Sequence, residues 1–250
     1  MFLFFGALCF NFFISCGEEN FDPFKDEGYD KRKGMLPTEI TQVINNNING
    51  VPSTLHTEFE YDLKDRITSI KSSTGSSQLT HTITYNENNG TVNQLIVVTP
   101  TGTYTYSYEY TDRYHILEHV ALNGKEQKIN TLTINAQSLL LKKEDPEEGI
   151  TTYGYDLNGN VIRSGVKNYF YDTSKGSMSA VKTPYWLYFT LENTVLFFPF
   201  NLVNNIDEDD QNSLYDYLEF NEFNYPTRVN VNTGAETITI TYKLSTLFNK

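Results

Sequence analysis

The residue pattern with the clearest potential for chemistry is His115-Ile116-Leu117-Glu118-His119. The order His-x-x-Glu-His can hold a zinc ion when a helix brings both imidazoles to one face. Here the segment follows the turn Thr111-Asp112-Arg113, and we expect it to form a strand. Residues i and i+4 of a strand lie about 13 Å apart, too far to share one ion. The sequence therefore favours a returning strand over a zinc site.

A second candidate is the acidic run Asp207-Glu208-Asp209-Asp210. It lacks the glycine and the distal glutamate of an EF-hand calcium loop, so a solvated acidic loop is favoured, with a weak calcium site as the alternative. The sequence has no Gly-x-Ser-x-Gly elbow, phosphate-binding glycine loop or catalytic cysteine motif. We therefore expect no catalytic residue, no metal and no cofactor. Paired carboxylates of a glycan hydrolase stay open, because the fold sets their separation.

Residues 1–15 are typical of a signal peptide. The stretch 2–14 is apolar and uncharged, but it is shorter than the roughly 20 residues that span a bilayer. It runs into Phe13-Ile14-Ser15-Cys16-Gly17, which resembles the lipobox of bacterial lipoproteins, although Phe13 replaces the usual leucine and no Lys or Arg precedes the apolar run. The resemblance implies that Cys16 carries the lipid. The alternative is a core or transmembrane segment with incidental cysteines.

The cysteines support the lipoprotein interpretation. The chain has two, Cys9 inside the apolar run and Cys16 at the predicted lipidation site, so a processed, exported chain keeps no free thiol. We expect residues 16–35 to be a flexible tether to the membrane. Within it, Gly17-Glu18-Glu19-Asn20 resembles the acidic signal that exports Bacteroidota lipoproteins to the outer face of the outer membrane; an ordinary acidic linker is the alternative.

Charge and composition limit the classes of partner. The net charge of −12 and a pI near 4.8 argue against nucleic acid, because proteins that bind it carry a basic surface. Tyrosine and phenylalanine supply 18 and 17 residues, which is typical of strands and far too aromatic for a disordered chain.

Repeated hairpins organise the rest of the chain, with short β-like runs that end at an aromatic or apolar residue before a polar turn. The residues are Tyr61, Tyr85, Tyr110, Ile134 and Tyr155, at intervals of 24, 25, 24 and 21, continued less regularly by Tyr171, Phe220 and Tyr242. An interval near 24 fits one hairpin and predicts an antiparallel meander. Alternation in Tyr104–Tyr110 and Thr237–Tyr242 predicts one aromatic or apolar face and one hydroxyl-rich face.

The segments Phe59–Ile70 and Tyr155–Ile162, each with Tyr-Asp followed by a polar turn, resemble the YD repeats of Rhs-type and teneurin-type proteins. With the lipobox before them and Phe220–Val229 behind, they also resemble a family of secreted Bacteroidota lipoproteins with a domain of unknown function described as porin-like. The resemblance covers roughly residues 36 to 245 and implies a curved antiparallel meander. It transfers no functional residue except Cys16.

An apolar segment interrupts the repeat. Residues 185–203 include Trp186, Leu187, Tyr188 and Phe189, and we expect a short buried helix or loop that plugs the concave aromatic face. A membrane-dipping or partner-binding patch is the alternative.

These observations predict an all-β fold in which residues 36–250 form a single domain, an antiparallel meander curved into an open or nearly closed barrel. We expect a lipid-anchored protein of the outer membrane whose domain is non-catalytic and binds a glycan or a protein, with exposed tyrosines as the contact residues. A cryptic hydrolase acting on glycans is the alternative.

Overall fold

The structure is a computed structural model that describes residues 34–45, 51–191, 202–208 and 213–248. The predicted signal peptide, Cys16 and the predicted tether before residue 34 lie outside the described residues, and so do Asp209 and Asp210. Over the described ranges, no helix has both the length and the apolar character that crossing a membrane requires.

Nearly all of the regular secondary structure in the described residues is β-strand. The strands are β1 (Met35–Ile44), β2 (Ser53–Tyr61), β3 (Ile67–Thr74), β4 (Ser77–Tyr85), β5 (Val92–Thr99), β6 (Gly102–Tyr110), β7 (His115–Leu122), β8 (Lys125–Ile134), β9 (Leu140–Asp145), β10 (Gly149–Tyr155), β11 (Val161–Ser164), β12 (Lys167–Asn168), β13 (Phe170–Lys175), β14 (Asn204–Glu208), β15 (Tyr215–Phe220), β16 (Pro226–Val231) and β17 (Glu236–Leu244). Fifteen of them form one sheet in the order β12 back to β1, then β17, β16 and β15. The predicted all-β antiparallel meander is confirmed.

The sheet curls around a single hydrophobic core. Buried side chains from β1 through β11, and again from β16 and β17, belong to one cluster, which a flat sheet of this width could not bring together. We call the face that carries this core the inner face. In β17, Ile238 and Ile240 lie on the inner face and are buried, while Thr239 and Thr241 are exposed, which confirms the predicted alternation.

The hydrogen-bonded ladder of the sheet does not close, because β12 and β15 are its two edges. The small sheet of β13 and β14 lies between them. The Tyr171 hydroxyl of β13 donates to Val161 O of β11 at 2.8 Å on one side, and an isolated bridge pairs Glu208 of β14 with Leu214 on the other. The result is an open meander whose edges meet through irregular contacts.

The first and last strands are neighbours. β1 pairs with β17 from Met35 opposite Leu244 to Ile44 opposite Glu236, and Ser245 N donates to Gly34 O at 2.9 Å. The two ends of the described chain therefore lie together inside the sheet, on its third and fourth strands counted from the β15 edge.

A 3-10 helix, Tyr185–Phe189, packs against the inner face. Trp186 is 2% exposed, and its ring meets Tyr108 edge-on at 4.8 Å between centroids. The Phe189 ring lies 4.5 Å from that of Tyr153. The predicted plug is confirmed for residues 185–191; residues 192–201 lie outside the described chain.

Candidate functional site on the inner face

The repeat tyrosines are structural. Their hydroxyls donate to backbone carbonyls of earlier strands or loops, at 2.6 to 3.2 Å: Tyr61 to Pro37, Tyr85 to Ile67, Tyr110 to Val92, Tyr155 to Leu140, Tyr171 to Val161, Tyr217 to Ile206 and Tyr242 to Pro226. Burial raises the pKa of each of these phenols above its ordinary value. These tyrosines therefore serve the fold and are not the exposed tyrosines expected to contact a ligand.

The aspartates that follow the repeat residues Tyr61 and Tyr155 build the turns. Asp62 Oδ1 accepts from the backbone of Lys64 at 2.9 Å and of Arg66 at 3.0 Å. Asp156 Oδ1 accepts in the same way from Asn158 and Asn160, at 2.9 and 2.8 Å. Both aspartates therefore stabilise their turns through side-chain-to-backbone hydrogen bonds.

The histidine motif lies in β7, as predicted, and alternation separates its members. His115 pairs with Asp112 at 2.8 Å, and His119 lies 3.4 Å from Glu126; both imidazoles are partly exposed on the outer face. Glu118 points the opposite way and is fully buried. The motif therefore does not converge on one point, and nowhere in the described ranges do three or more His, Cys, Asp or Glu side chains form a group that could hold a metal ion.

Glu118 is the centre of a polar cluster on the inner face. It lies directly opposite Tyr108 in β6 and Asn130 in β8. Its Oε2 accepts from Asn130 Nδ2 at 2.7 Å, and its Oε1 accepts from Thr190, which follows the plug helix, at 2.7 Å. Lys143 Nζ lies 3.9 Å from Oε2. The plug thus covers a carboxylate as well as apolar side chains.

The cluster retains unused hydrogen-bonding capacity. Asn130 Oδ1 and the Tyr108 hydroxyl are buried, and neither has a partner of hydrogen-bonding geometry among the described residues. Burial, followed by the nearby Glu118 charge, raises the pKa of Tyr108 and of its neighbour Tyr106. Both phenols are therefore neutral at ordinary pH and can donate a proton to a hydrogen bond.

A second ion pair lies on the inner face near the hairpin at residues 145–149. Lys128 Nζ donates to Asp145 Oδ2 at 2.5 Å, and Asp145 Oδ1 accepts from the amides of Glu147 and Glu148 at 2.8 and 3.1 Å. Burial opposes ionisation of Asp145, but the Lys128 and amide hydrogen bonds outweigh it and lower the pKa of the carboxyl below its usual value.

In the sequence, Glu118 stands out only as part of the His-x-x-Glu-His motif, and no pattern points to Asn130, Lys143 or Thr190. One signal was available: Glu118 stands between Ile116 and Val120 at an inward position of an alternating strand. A charged residue at such a position needs buried partners. The partners themselves come from β8, β9 and the end of the plug, which sequence spacing does not connect.

Other candidates stay separate from the cluster. Of the acidic run, Asp207 and Glu208 end β14, and the rest lies outside the described residues. His81, in β4, is 2% exposed, and its Nδ1 has no partner among the described residues.

The Teneurin YD-shell family model matches residues 38–187, which is more than half of the chain. No curated protein sequence matches this chain. The crystal structure of a porin-like protein from Bacteroides uniformis ATCC 8492 is similar, with a TM-score of 0.38 and 15% identity over 85% of this chain and 96% of that one.

Proposed function

We propose that this chain, which belongs to the Teneurin YD-shell family, is a cell-envelope lipoprotein with a non-catalytic binding or structural β domain. The family match supports the β domain; the lipid anchor, the envelope location and the non-catalytic role are the proposal. On this view Cys16 carries the lipid, and the chain is one of the secreted Bacteroidota lipoproteins that its sequence resembles.

The observation that carries the non-catalytic role is the use of the repeat residues. The polar groups that recur along the chain, the tyrosine hydroxyls and the aspartates after them, bond to the backbone of the fold itself. These groups stabilise hairpins and are therefore not free to act on a substrate. The repeat is therefore a scaffold, and function depends on what that scaffold encloses or displays.

Asp112 and Asp145 do not have the ionisation expected of the general acid of a glycoside hydrolase. Glycoside hydrolysis requires a general acid with a raised pKa. The backbone amide of Tyr114, with a contribution from His115, lowers the pKa of Asp112, and Asp145 is lowered as described above. Both shifts run opposite to the direction that a general acid requires.

The anchoring part of the proposal rests on the sequence of the N-terminus. Cys16 follows an apolar run in lipobox-like order, and Glu18 and Glu19 come directly after it. Acyl chains contribute about 0.8 kcal/mol for each buried methylene, and two or more chains hold a protein on a membrane stably. We place the domain on the outer membrane, facing outward, where a glycan or another protein would be its partner.

The test is metabolic labelling with an alkyne analogue of palmitate in a Bacteroidota host that expresses the full chain. We expect label in the wild-type protein and in Cys9→Ser, and none in Cys16→Ser. Cys9→Ser is the matched control, because that cysteine lies within the segment expected to be removed. Label that persists in Cys16→Ser, or that disappears in Cys9→Ser, would overturn the anchoring site.

The non-catalytic role has its own test. The purified domain, residues 34–250, is incubated with polysaccharides and released reducing ends are measured. No release above a heat-treated control is expected. Release that depends on Glu118 or Asp145 would instead establish the hydrolase alternative.

A further inference from the structure

The polar cluster around Glu118 holds two groups that are buried without a partner in the described residues. Asn130 is 1% exposed, and its Nδ2 already donates to Glu118, so its Oδ1 is an acceptor that lacks a donor. Tyr108 is 8% exposed; its hydroxyl lies beside Thr190, whose own proton goes to Glu118. Leaving such groups unsatisfied is costly, which favours an additional species that bonds to both.

The charges of the inner face indicate what kind of species fits. Glu118 faces Lys143 at 3.9 Å, and Asp145 accepts from Lys128 at 2.5 Å. Each lysine is thus paired with a buried carboxylate, and a third, largely exposed carboxylate, that of Glu147, lies 3.5 Å from Lys128 Nζ. An added cation would meet the lysines and an added anion would meet the carboxylates, so the cluster selects an uncharged ligand.

Solvent reaches this part of the inner face. The side chains of Lys128 and Lys143 are 19% and 23% exposed although their ammonium groups bond to inward-facing acids. Tyr106, opposite Val120 on the same face, is only partly buried. A ligand that arrives past these residues meets an aromatic ring first and the buried amide and phenol beyond it.

We infer that the inner-face cluster of Tyr106, Tyr108, Glu118, Asn130 and Lys143 binds an uncharged, hydroxyl-rich ligand of the class of a neutral saccharide unit. One hydroxyl of the ligand donates to Asn130 Oδ1, and another bonds to the Tyr108 hydroxyl. The ring of Tyr106 packs on the carbon face of the sugar. This inference deepens the binding role proposed above and rests on it.

The chain contains its own reporter for such binding. Trp186 is its single tryptophan, and its ring lies 4.8 Å from that of Tyr108 and 6.5 Å from that of Tyr110. The experiment titrates the intact domain with free neutral monosaccharides, namely glucose, galactose, mannose and N-acetylglucosamine. Galacturonic acid and glucosamine serve as charged counterparts. Trp186 fluorescence is followed, with calorimetry as a second readout.

Two neighbouring tyrosines separate binding from folding. Tyr108→Phe removes a hydroxyl without a partner in the described residues, so it should leave stability unchanged or raised while weakening saccharide binding about tenfold. Tyr110→Phe removes a hydroxyl that donates to Val92 O at 3.2 Å. It should lower stability and leave saccharide binding unchanged. Both variants keep the rings beside Trp186, so they are matched in packing and in their effect on the reporter.

The expected result is a response to at least one neutral sugar, lost in Tyr108→Phe, kept in Tyr110→Phe and absent for the charged counterparts. The inference is overturned if no neutral sugar gives a response, if only the charged sugars bind, or if Tyr108→Phe binds as tightly as the wild type. None of these outcomes would alter palmitate labelling at Cys16 or the absence of hydrolysis, so the anchoring and non-catalytic proposals stand or fall separately.

Discussion

Asp65 and Ser245 are joined by a hydrogen bond across 180 positions of sequence, with the buried carboxylate of Asp65 accepting from the Ser245 hydroxyl. The same carboxylate accepts from the backbone N and the hydroxyl of Thr246, at 3.0 and 2.6 Å. The turn after β2 thereby holds the segment that follows β17. This contact ties the end of the last strand to the hairpin between β2 and β3.

We therefore expect Asp65→Asn to destabilise the domain by about 2 to 4 kcal/mol, because it removes a charged acceptor of several buried hydrogen bonds. Asparagine is the informative replacement, since Asp65 has φ of 58° and asparagine also tolerates that conformation. Ser245→Ala should cost about 1 kcal/mol, because the two other donors remain. Urea unfolding measures both losses. If Asp65→Asn is as stable as the wild type, the Asp65 carboxylate does not stabilise the segment that follows β17.

A second prediction concerns the repeat tyrosines. Tyr155→Phe removes the bond to Leu140 O at 2.7 Å and should lower the free energy of unfolding by about 1 to 2 kcal/mol. Tyr114, which is 40% exposed, provides the control, and Tyr114→Phe should have almost no effect. If the two variants unfold at the same denaturant concentration, the repeat hydroxyl is not a structural element.

Because His81 is buried, we expect the domain to lose stability in acid. The strand neighbours of His81, Ile70 and Val97, are apolar, and burial lowers the pKa of the imidazole from 6.5 to about 4. Above pH 6.5 the ring is neutral in both states. As the pH falls from 6.5 to 4, the unfolded chain takes up a proton that the folded chain does not, so up to about 3 kcal/mol of stability is lost.

His81→Gln should flatten the dependence of the melting temperature on pH over that interval. His56→Gln is its control, because the His56 side chain is 52% exposed, and it should keep the wild-type profile. If the melting temperatures of wild type and His81→Gln depend on pH in the same way, His81 is not the cause of the loss of stability in acid.

Local chemistry explains which parts of the fold the sequence could predict. Six residues are enough to encode a strand end and the turn after it: a tyrosine, an Asp or Asn, and then a residue with positive φ such as Asp65 or Gly159. The hairpins and their spacing could therefore be predicted from the sequence. The later repeats were harder. Phe220 ends its strand and Asn221 builds the following turn, as predicted, but the hydroxyl that bonds back to the chain in this hairpin belongs to Tyr217.

Long-range register was beyond the reach of sequence pattern. Nothing near Met35 indicates that it pairs with Leu244. Likewise, Thr190 and Glu118 are 72 positions apart and meet only because the plug packs on β7. The partners of Glu118 in the inner-face cluster therefore cannot be identified without the three-dimensional structure.

The most direct test of the central claim, a lipid-anchored domain displayed at the cell surface, is protease shaving of intact cells followed by immunoblotting for the domain. The account predicts that the domain is lost from intact cells while a periplasmic marker survives, and that Cys16→Ser abolishes this surface pool. Protection of the wild-type domain until the outer membrane is broken would contradict surface display, and partners would then have to be sought inside the envelope.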